Sequence, residues 1–312
     1  MRRALIIGND VYENITCLHG CINDATCIAT ILERNGDGTP NFAVKQLNNI
    51  TTKEIKENVK ELFIGDSVDT CLLYYSGHGC SNNIDGYIVG TDGEEYAEGM
   101  SMTEILKLAN ESKIKNKIII MDCCFSGNMG NPTYSSRECA INDGITILTA
   151  CGKKEYATEK NGIGVFTSLL IDSLNGGASD ILGNITPGSI YSYIDKALGA
   201  WEQRPMFKTN VSSFVEIRKI SPLIPLELLR NITEYFEEYT DEFQLDPSYE
   251  DTTENYNLEN SKKFKILQKF CSLGLVKPVG EEHMYYAAIN SKSCKLTAMG
   301  YQYWRLVKEG KI

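Results

Sequence analysis

The stretch Lys117–Gly127 reads Lys-Ile-Ile-Ile-Met-Asp-Cys-Cys-Phe-Ser-Gly and decides the fold of this 312-residue chain. A continuous apolar run between polar residues is typical of a strand buried on both faces of a sheet. The earlier stretch 71–79, Cys-Leu-Leu-Tyr-Tyr-Ser-Gly-His-Gly, has the same form. One predicted strand thus ends in paired cysteines and another in a histidine between glycines. Strand ends of an open parallel sheet form its ligand site, so we expect His78 and one cysteine to lie close together.

Predicted strands and helices alternate around these two stretches. The apolar patterns predict strands at 3–9, 42–47, 71–75, 87–89, 117–122, 144–150 and 211–217, and helices at 24–34, 51–62, 101–108, 164–174 and 187–198. Such alternation is typical of helices packed on a mostly parallel sheet. We therefore predict an α/β sandwich with a mostly parallel central sheet for residues 1–220.

The remainder, residues 221–312, has a different pattern. It begins at a proline-rich junction and contains predicted helices at 226–238, 261–273 and 297–309, with two short strands between 274 and 289. This order predicts a small α+β domain resembling a winged helix. Modules of that kind bind nucleic acid or protein, and here we expect a regulatory protein partner.

Charge supports that choice. The chain carries a net charge of −10, and the tract 231–260 contains ten acidic residues and no lysine or arginine, so the rest of the chain is close to neutral. Because phosphate binding requires a basic face, a nucleic-acid partner is disfavoured.

Composition also bears on location. No apolar run approaches the roughly 20 residues needed to cross a bilayer, and no signal-peptide pattern precedes the first strand. We therefore expect a cytoplasmic protein without a membrane partner. The eleven cysteines are then expected to be mostly buried thiols rather than disulfides.

The histidine and cysteine at the predicted strand ends suggest a catalytic pair. A cysteine attacks a carbonyl as its thiolate, with a nearby histidine as the usual base. Of the three histidines, only His78 follows a predicted buried strand. It precedes Cys124 by 46 residues, close to the roughly 50 residues that separate histidine and cysteine in one known type of catalytic pair. The alternative is a structural loop histidine beside buried thiols.

Two motifs resemble a known family. Residues 76–79, Ser-Gly-His-Gly, and 122–127, Asp-Cys-Cys-Phe-Ser-Gly, look like the catalytic blocks of the caspase-like cysteine peptidases, closest to metacaspases and bacterial caspase-family proteins. The family pattern Asp-x-Cys-x-Ser-Gly aligns Cys124, not Cys123, with the nucleophile. Further resemblance at 20–25, 146–151, 164–167 and 203–205 extends it over residues 1 to about 217. The Gln-Ala-Cys block of animal caspases is absent.

The resemblance implies a mechanism and a specificity. Cys124 would attack the scissile carbonyl, His78 would protonate the leaving amine, and the N–H groups of Gly79 and Cys124 would bind the oxyanion. We expect no third catalytic residue.

In metacaspases the primary specificity pocket is acidic and accepts Arg or Lys. Asp24 and Asp122 match its two carboxylates, Ser76 matches a polar wall, and Cys151 is a weaker candidate for the same pocket. An alternative for Asp24 is a helix N-cap.

The resemblance also bears on processing and metals. Family members often cleave themselves, and Arg137 and Arg218 are candidate sites for an enzyme with basic specificity. The residues predict no metal and no required cofactor, although the resemblance leaves calcium open, since calcium activates many metacaspases.

The sequence therefore favours a cysteine endopeptidase that acts on proteins or peptides with a basic P1 residue. The resemblance suggests a regulated protease of a bacterial defence or stress pathway. The alternatives are a non-catalytic caspase-like scaffold and a winged-helix regulator. Only Lys262, Lys263, Lys265 and Lys269 support DNA binding by the latter.

Overall fold

The computed structural model describes residues 1–82, 85–94, 99–124, 126, 129, 140–150, 159–160, 163–199 and 204–312. It divides the chain into two compact units, Met1–Ser221 and Pro222–Ile312, beside the boundary predicted after residue 220. Among the described residues, no helix is both long and apolar enough to cross a membrane.

The first unit alternates strands and helices. In chain order its elements are β1 (Arg2–Gly8), α1 (Cys21–Glu33), β2 (Ala43–Asn48), α2 (Thr52–Leu62), β3 (Thr70–Ser76), β4 (Gly79–Ser81), β5 (Gly86–Ile88), β6 (Met100–Ser101), α3 (Met102–Glu111), β7 (Asn116–Asp122), β8 (Ile145–Thr149), β9 (Glu159–Lys160), β10 (Ile163–Gly164), α4 (Val165–Asp172), β11 (Asn184–Ile185), α5 (Pro187–Ala197), β12 (Met206–Asn210) and β13 (Arg218–Lys219). A π-helical segment, Ser173–Gly177, follows α4.

The main sheet has the strand order β12-β8-β7-β3-β1-β2. All neighbours in it are parallel except β12, which pairs antiparallel with β8. The prediction of a mostly parallel sheet is confirmed.

The closing strand was placed wrongly by the sequence pattern. Residues 211–217 form no strand, and the edge strand is β12, Met206–Asn210. The alternation that suggested a strand has another cause, because Val215 and Ile217 pack into the apolar core from an irregular segment.

Alternate side chains of the central strands enter two different cores. On one face, Leu73 and Ile119 pack with Ile55 of α2 and Ile105 of α3. On the other face, a second cluster joins the remaining strand side chains to α1, α4 and α5 (Leu72, Ile118, Ile28, Phe166, Leu170 and Ile190). This two-sided burial explains why the strands are continuously apolar.

Strand register aligns the polar groups that end the central strands. Gly8 of β1 pairs with Ser76 of β3, and Ser76 pairs with Asp122 of β7. A Cβ atom at Gly8 would lie 2.5 Å from the carbonyl oxygen of Cys21. Helix α1 therefore begins directly against the end of β1.

The second unit combines short helices with a small sheet. Its elements are α6 (Leu226–Arg230), α7 (Ile232–Tyr235), β14 (Glu242–Gln244), a 3₁₀ turn (Pro247–Tyr249), α8 (Leu258–Ser272), β15 (Val276–Val279), α9 (Met284–Ile289), β16 (Ser293–Leu296) and α10 (Ala298–Lys308). The strands form an antiparallel sheet in the order β14-β16-β15.

Two predictions for this unit were wrong in detail. The helix expected at 226–238 is two short helices, and the second strand expected before residue 289 is helix α9, with β16 following it. Met284, Ala287 and Ala288 are buried at helical spacing, so packing outweighs the β-propensity of the adjacent tyrosines. The winged-helix assignment remains a prediction.

Candidate active site

The first component of the site is His78, in the turn between β3 and β4. Its imidazole is half-buried, and Nε2 lies 2.7 Å from the carbonyl oxygen of Thr16. A carbonyl oxygen only accepts hydrogen bonds, so the neutral ring carries its proton on Nε2 and leaves Nδ1 as the acceptor. This contact could not be predicted from the sequence, because any residue at position 16 provides the same carbonyl.

The backbone of His78 is held by two tyrosines. Its N–H donates to the hydroxyl of Tyr12 over 2.8 Å, and the hydroxyl of Tyr75 lies 2.9 Å from its carbonyl oxygen. The edge of the Tyr12 ring faces the imidazole, with centroids 4.7 Å apart. Burial raises the pKa of both tyrosines well above the usual range, so both remain neutral hydroxyls.

The two adjacent cysteines differ in environment. Cys123 is 1% exposed and belongs to the apolar cluster on the α2–α3 face, whereas Cys124 is only partly buried. A reagent or substrate can therefore approach the sulfur of Cys124 far more readily. This difference favours Cys124 as the reactive thiol.

The histidine turn and the cysteine pair are in direct contact. A Cβ atom at Gly79 would lie 2.3 Å from the carbonyl oxygen of Cys124 and 3.2 Å from the sulfur of Cys123. No side chain fits between these backbones, so this position requires glycine. The structure thus brings together the two strand ends on which the sequence prediction depended.

Two buried carboxylates lie near the same end of the central strands. Asp24 is 2% exposed and Asp122 is 6% exposed. The N–H of Gly164 donates to Oδ2 of Asp24 over 3.2 Å. A Cβ atom at Gly164 would lie 2.6 Å from Oδ2 of Asp122 and 3.2 Å from Oδ2 of Asp24. The two carboxylates therefore both lie against the backbone of Gly164.

The alternative role of Asp24 as a helix N-cap is wrong. The N–H groups of Cys21 and Ile22, at the start of α1, donate to the carboxylate of Asp10 over 2.8 and 3.3 Å. Asp24 lies inside the first turn of the helix. Its burial is therefore not explained by helix capping.

A chain of buried hydroxyls leads to the Asp122 carboxylate. The hydroxyl of Thr167 donates to Oδ2 of Asp122 over 2.6 Å and lies 2.6 Å from the hydroxyl of Tyr74. Tyr74 is also hydrogen-bonded to Ser76, which is 2% exposed. Burial, followed by the negative charges of Asp122 and Asp24, raises the pKa of Tyr74, so it stays neutral.

Sequence reasoning missed the roles of Gly164 and Thr167. Both lie in the block 164–167, Gly-Val-Phe-Thr, which entered only as part of the family resemblance. A threonine among the apolar residues of a predicted helix was the available signal, and the structure buries it completely. Its partner could not be identified, because Asp122 precedes it by 45 residues.

The remaining candidates are not part of this cluster. Arg137 and Cys151 lie outside the described residues. Arg218 lies in β13, where its guanidinium donates to the carbonyl oxygens of Arg34 and Leu174 over 3.0 and 2.8 Å. Burial lowers its pKa, and its role as a cleavage site stays a prediction. Within the described ranges, no group of three or more His, Cys, Asp or Glu residues could hold a metal ion.

Comparison with known proteins identifies the family of the first unit. A family model described as the caspase domain matches residues 1–213. Mucosa-associated lymphoid tissue lymphoma translocation protein 1 of Homo sapiens is 26% identical over 180 residues, which cover 55% of this chain and 21% of that protein. The chain thus spans about a fifth of that relative's length.

Solved structures share the fold at low identity. Protein GSU0716 from Geobacter sulfurreducens aligns with a TM-score of 0.52 and 19% identity, covering 72% of this chain and 99% of that one. Caspase-1 from Spodoptera frugiperda aligns with a TM-score of 0.52 and 16% identity, covering 70% and 90%. Because the family model covers well over half of the residues, the resemblance seen in the sequence is confirmed, and this chain belongs to the caspase family of cysteine peptidases.

Proposed function

We propose that this protein is a cysteine endopeptidase that uses Cys124 and His78 to cleave proteins after Arg or Lys. One observation carries the proposal: the buried carboxylates of Asp24 and Asp122 both lie against Gly164, and β7 ends at Asp122 just before Cys124. The proposed nucleophile therefore lies close along the chain to one of the two carboxylates proposed to bind the P1 side chain.

The chemistry follows from the proton positions. With Nε2–H donated to Thr16, Nδ1 of His78 accepts the thiol proton of Cys124. The thiolate attacks the scissile carbonyl carbon, and the oxyanion accepts hydrogen bonds from the N–H groups of Gly79 and Cys124. Nδ1 then returns its proton to the leaving amine, and a thioester remains. Water, deprotonated by His78, attacks the thioester, which releases the carboxylic acid and restores the thiol.

Charge supports the basic specificity. Two buried carboxylates pay a large desolvation penalty unless a cation compensates them. A guanidinium can donate to both in a planar fork, and an ammonium supplies a compact charge. An aspartate at P1 would instead be repelled by both groups. Arg2 and Arg3 are not placed to bind a P1 aspartate, because their guanidiniums are held by the backbone carbonyls of Ile217 and Glu61.

The first experiment compares fluorogenic peptides that end in Arg, Lys or Asp, with and without calcium. Wild type is measured beside Cys124→Ala, and Cys123→Ala is the matched control. We expect cleavage after Arg and Lys that is lost in Cys124→Ala and retained in Cys123→Ala. Cleavage after Asp would contradict the pocket, and loss in Cys123→Ala alone would contradict the nucleophile. Absence of all cleavage would favour the non-catalytic scaffold.

We propose a regulatory protein partner for the second unit rather than nucleic acid. Two of its four clustered lysines pair with acidic neighbours, Lys262 with Glu259 at 3.1 Å and Lys265 with Asp251 at 3.5 Å. These surface pairs add little stability, but they reduce the positive charge available to phosphates. A gel-shift assay that shows salt-sensitive DNA binding would contradict this choice. A role in bacterial defence or stress and a cytoplasmic location remain part of the proposal.

A further inference from the structure

We infer that Tyr12 is a positioning residue for His78, acting with Tyr75 as a pair of buried hydroxyls that fixes the histidine peptide. This inference rests on the proposed function, because it assigns these tyrosines to the same reaction. Neither tyrosine is proposed to touch substrate. Their effect on catalysis passes through the orientation of the imidazole.

The hydroxyl pair holds both polar groups of the His78 backbone. Tyr12 accepts the His78 N–H over 2.8 Å. The Tyr75 hydroxyl lies 2.9 Å from the His78 carbonyl oxygen and 2.8 Å from that of Val89. The two hydroxyls are also hydrogen-bonded to each other. The histidine peptide is therefore held at both ends by one connected group.

The loop that provides Tyr12 also holds the ring. Thr16, four residues further along, accepts from Nε2 over 2.7 Å. The Tyr12 ring meets the imidazole edge-on, with an interplanar angle of 61°. The segment that follows β1 thus holds both the backbone and the ring of His78. A shift of the peptide would turn the ring out of line with the Thr16 carbonyl.

The contacts of Gly77 indicate independently that the hydroxyls of Tyr12 and Tyr75 need the space beside this residue. A Cβ atom there would lie 2.6 Å from the Tyr75 hydroxyl and 2.7 Å from the Tyr12 hydroxyl. The residue has no backbone angle that demands glycine. Glycine is required here because the hydroxyls occupy the place of a side chain.

The kinetic test is Tyr12→Phe, which keeps the ring and removes the acceptor of the His78 N–H. We expect kcat for an Arg-ending peptide to fall roughly ten- to a hundredfold, as small misplacements of reacting groups do, while KM stays within about twofold. Tyr87→Phe is the control, since it removes a partly buried hydroxyl that accepts a hydrogen bond from the Asn82 amide instead. Equal kcat in wild type and Tyr12→Phe, or an equal loss in Tyr87→Phe, would overturn the inference.

A second test needs no substrate. The chain has only three histidines, so ¹⁵N-histidine NMR of the Cys124→Ala protein resolves each imidazole, with His78→Asn for assignment. We expect His78 as the Nε2–H tautomer with slow proton exchange, and faster exchange in Tyr12→Phe and in Gly77→Ala. An Nδ1–H tautomer in the parent protein, or unchanged exchange in both variants, would overturn the inference. If the expected spectra accompany an absence of peptidase activity, the positioning stands and the proposed function fails.

Discussion

Gly164→Ala tests the carboxylate pocket most directly. The glycine backbone has φ −62° and ψ 133°, which alanine adopts without strain. The added methyl carbon would lie 2.6 Å from Oδ2 of Asp122, whereas ordinary contact begins at 3.4 Å. The carboxylate must therefore retreat by about 0.8 Å, or turn away from its Thr167 hydrogen bond.

The magnitude follows from the interactions that the methyl removes. A hydrogen bond to a charged group contributes about 1.5–3 kcal/mol. Loss of one such bond between a P1 guanidinium and Asp122 predicts a fall in kcat/KM of roughly ten- to 150-fold. Most of the loss should reside in KM if the guanidinium is bound equally well in the ground state and the transition state.

The assay pairs peptide hydrolysis with alkylation of Cys124 by iodoacetamide. This small neutral reagent does not use the carboxylate pocket, so its rate should match wild type in Gly164→Ala. Hydrolysis of Arg- and Lys-ending peptides should fall in parallel. A kcat/KM within twofold of wild type, with alkylation unchanged, would refute the pocket assignment. A parallel fall in alkylation would mean that the variant disturbs the dyad instead.

Three further changes have defined outcomes. Thr167→Val removes the donor to Asp122 and should lower the free energy of unfolding by about 1–3 kcal/mol, measured by urea denaturation; no loss would contradict the buried hydrogen bond. Asp24→Asn keeps the shape but removes one charge, and it should weaken cleavage after Arg at least roughly tenfold while leaving Cys124 alkylation unchanged; undiminished cleavage would exclude Asp24 from the pocket. Burial raises the pKa of Cys71 from 9.0 to about 12, so this thiol ionises at a lower pH in the unfolded chain than in the folded one. The contribution of Cys71 to stability is therefore complete below pH 9 and is lost as pH rises towards 12. Urea midpoints across this range should show a shallower fall in Cys71→Val than in wild type, and the exposed Cys17→Ser should match wild type.

Much of the first unit is predictable because its strands are buried on both faces. The runs ending at Tyr75 and Met121 are continuously apolar, and such runs have few alternatives to a central strand. The polar residues that follow them then mark the edge at which open parallel sheets generally bind ligands. That argument placed His78 and the cysteine pair at adjoining strand ends, in agreement with the close contact between Gly79 and Cys124, whereas the choice of Cys124 came from the family pattern.

The errors have physical causes that local sequence does not contain. Val215 and Ile217 alternate like a strand but belong to an irregular segment that covers the core. Tyr285 and Tyr286 favour a strand, yet Met284 and Ala288 bury one face of a helix. The Thr16 carbonyl that holds His78 is a backbone group, so no residue type at position 16 could indicate this contact.

The pocket also has a consequence for the order in which the chain is made. The proposed base and nucleophile, His78 and Cys124, are both present once synthesis has passed residue 124. The hydrogen bond from Gly164 to Asp24 spans 140 residues, and the Thr167 hydroxyl follows later still. The proposed nucleophile is therefore synthesised before the residues that complete the proposed substrate pocket. Under the proposed function, selective cleavage therefore requires the distant residues Gly164 and Thr167 to have folded against the two aspartates.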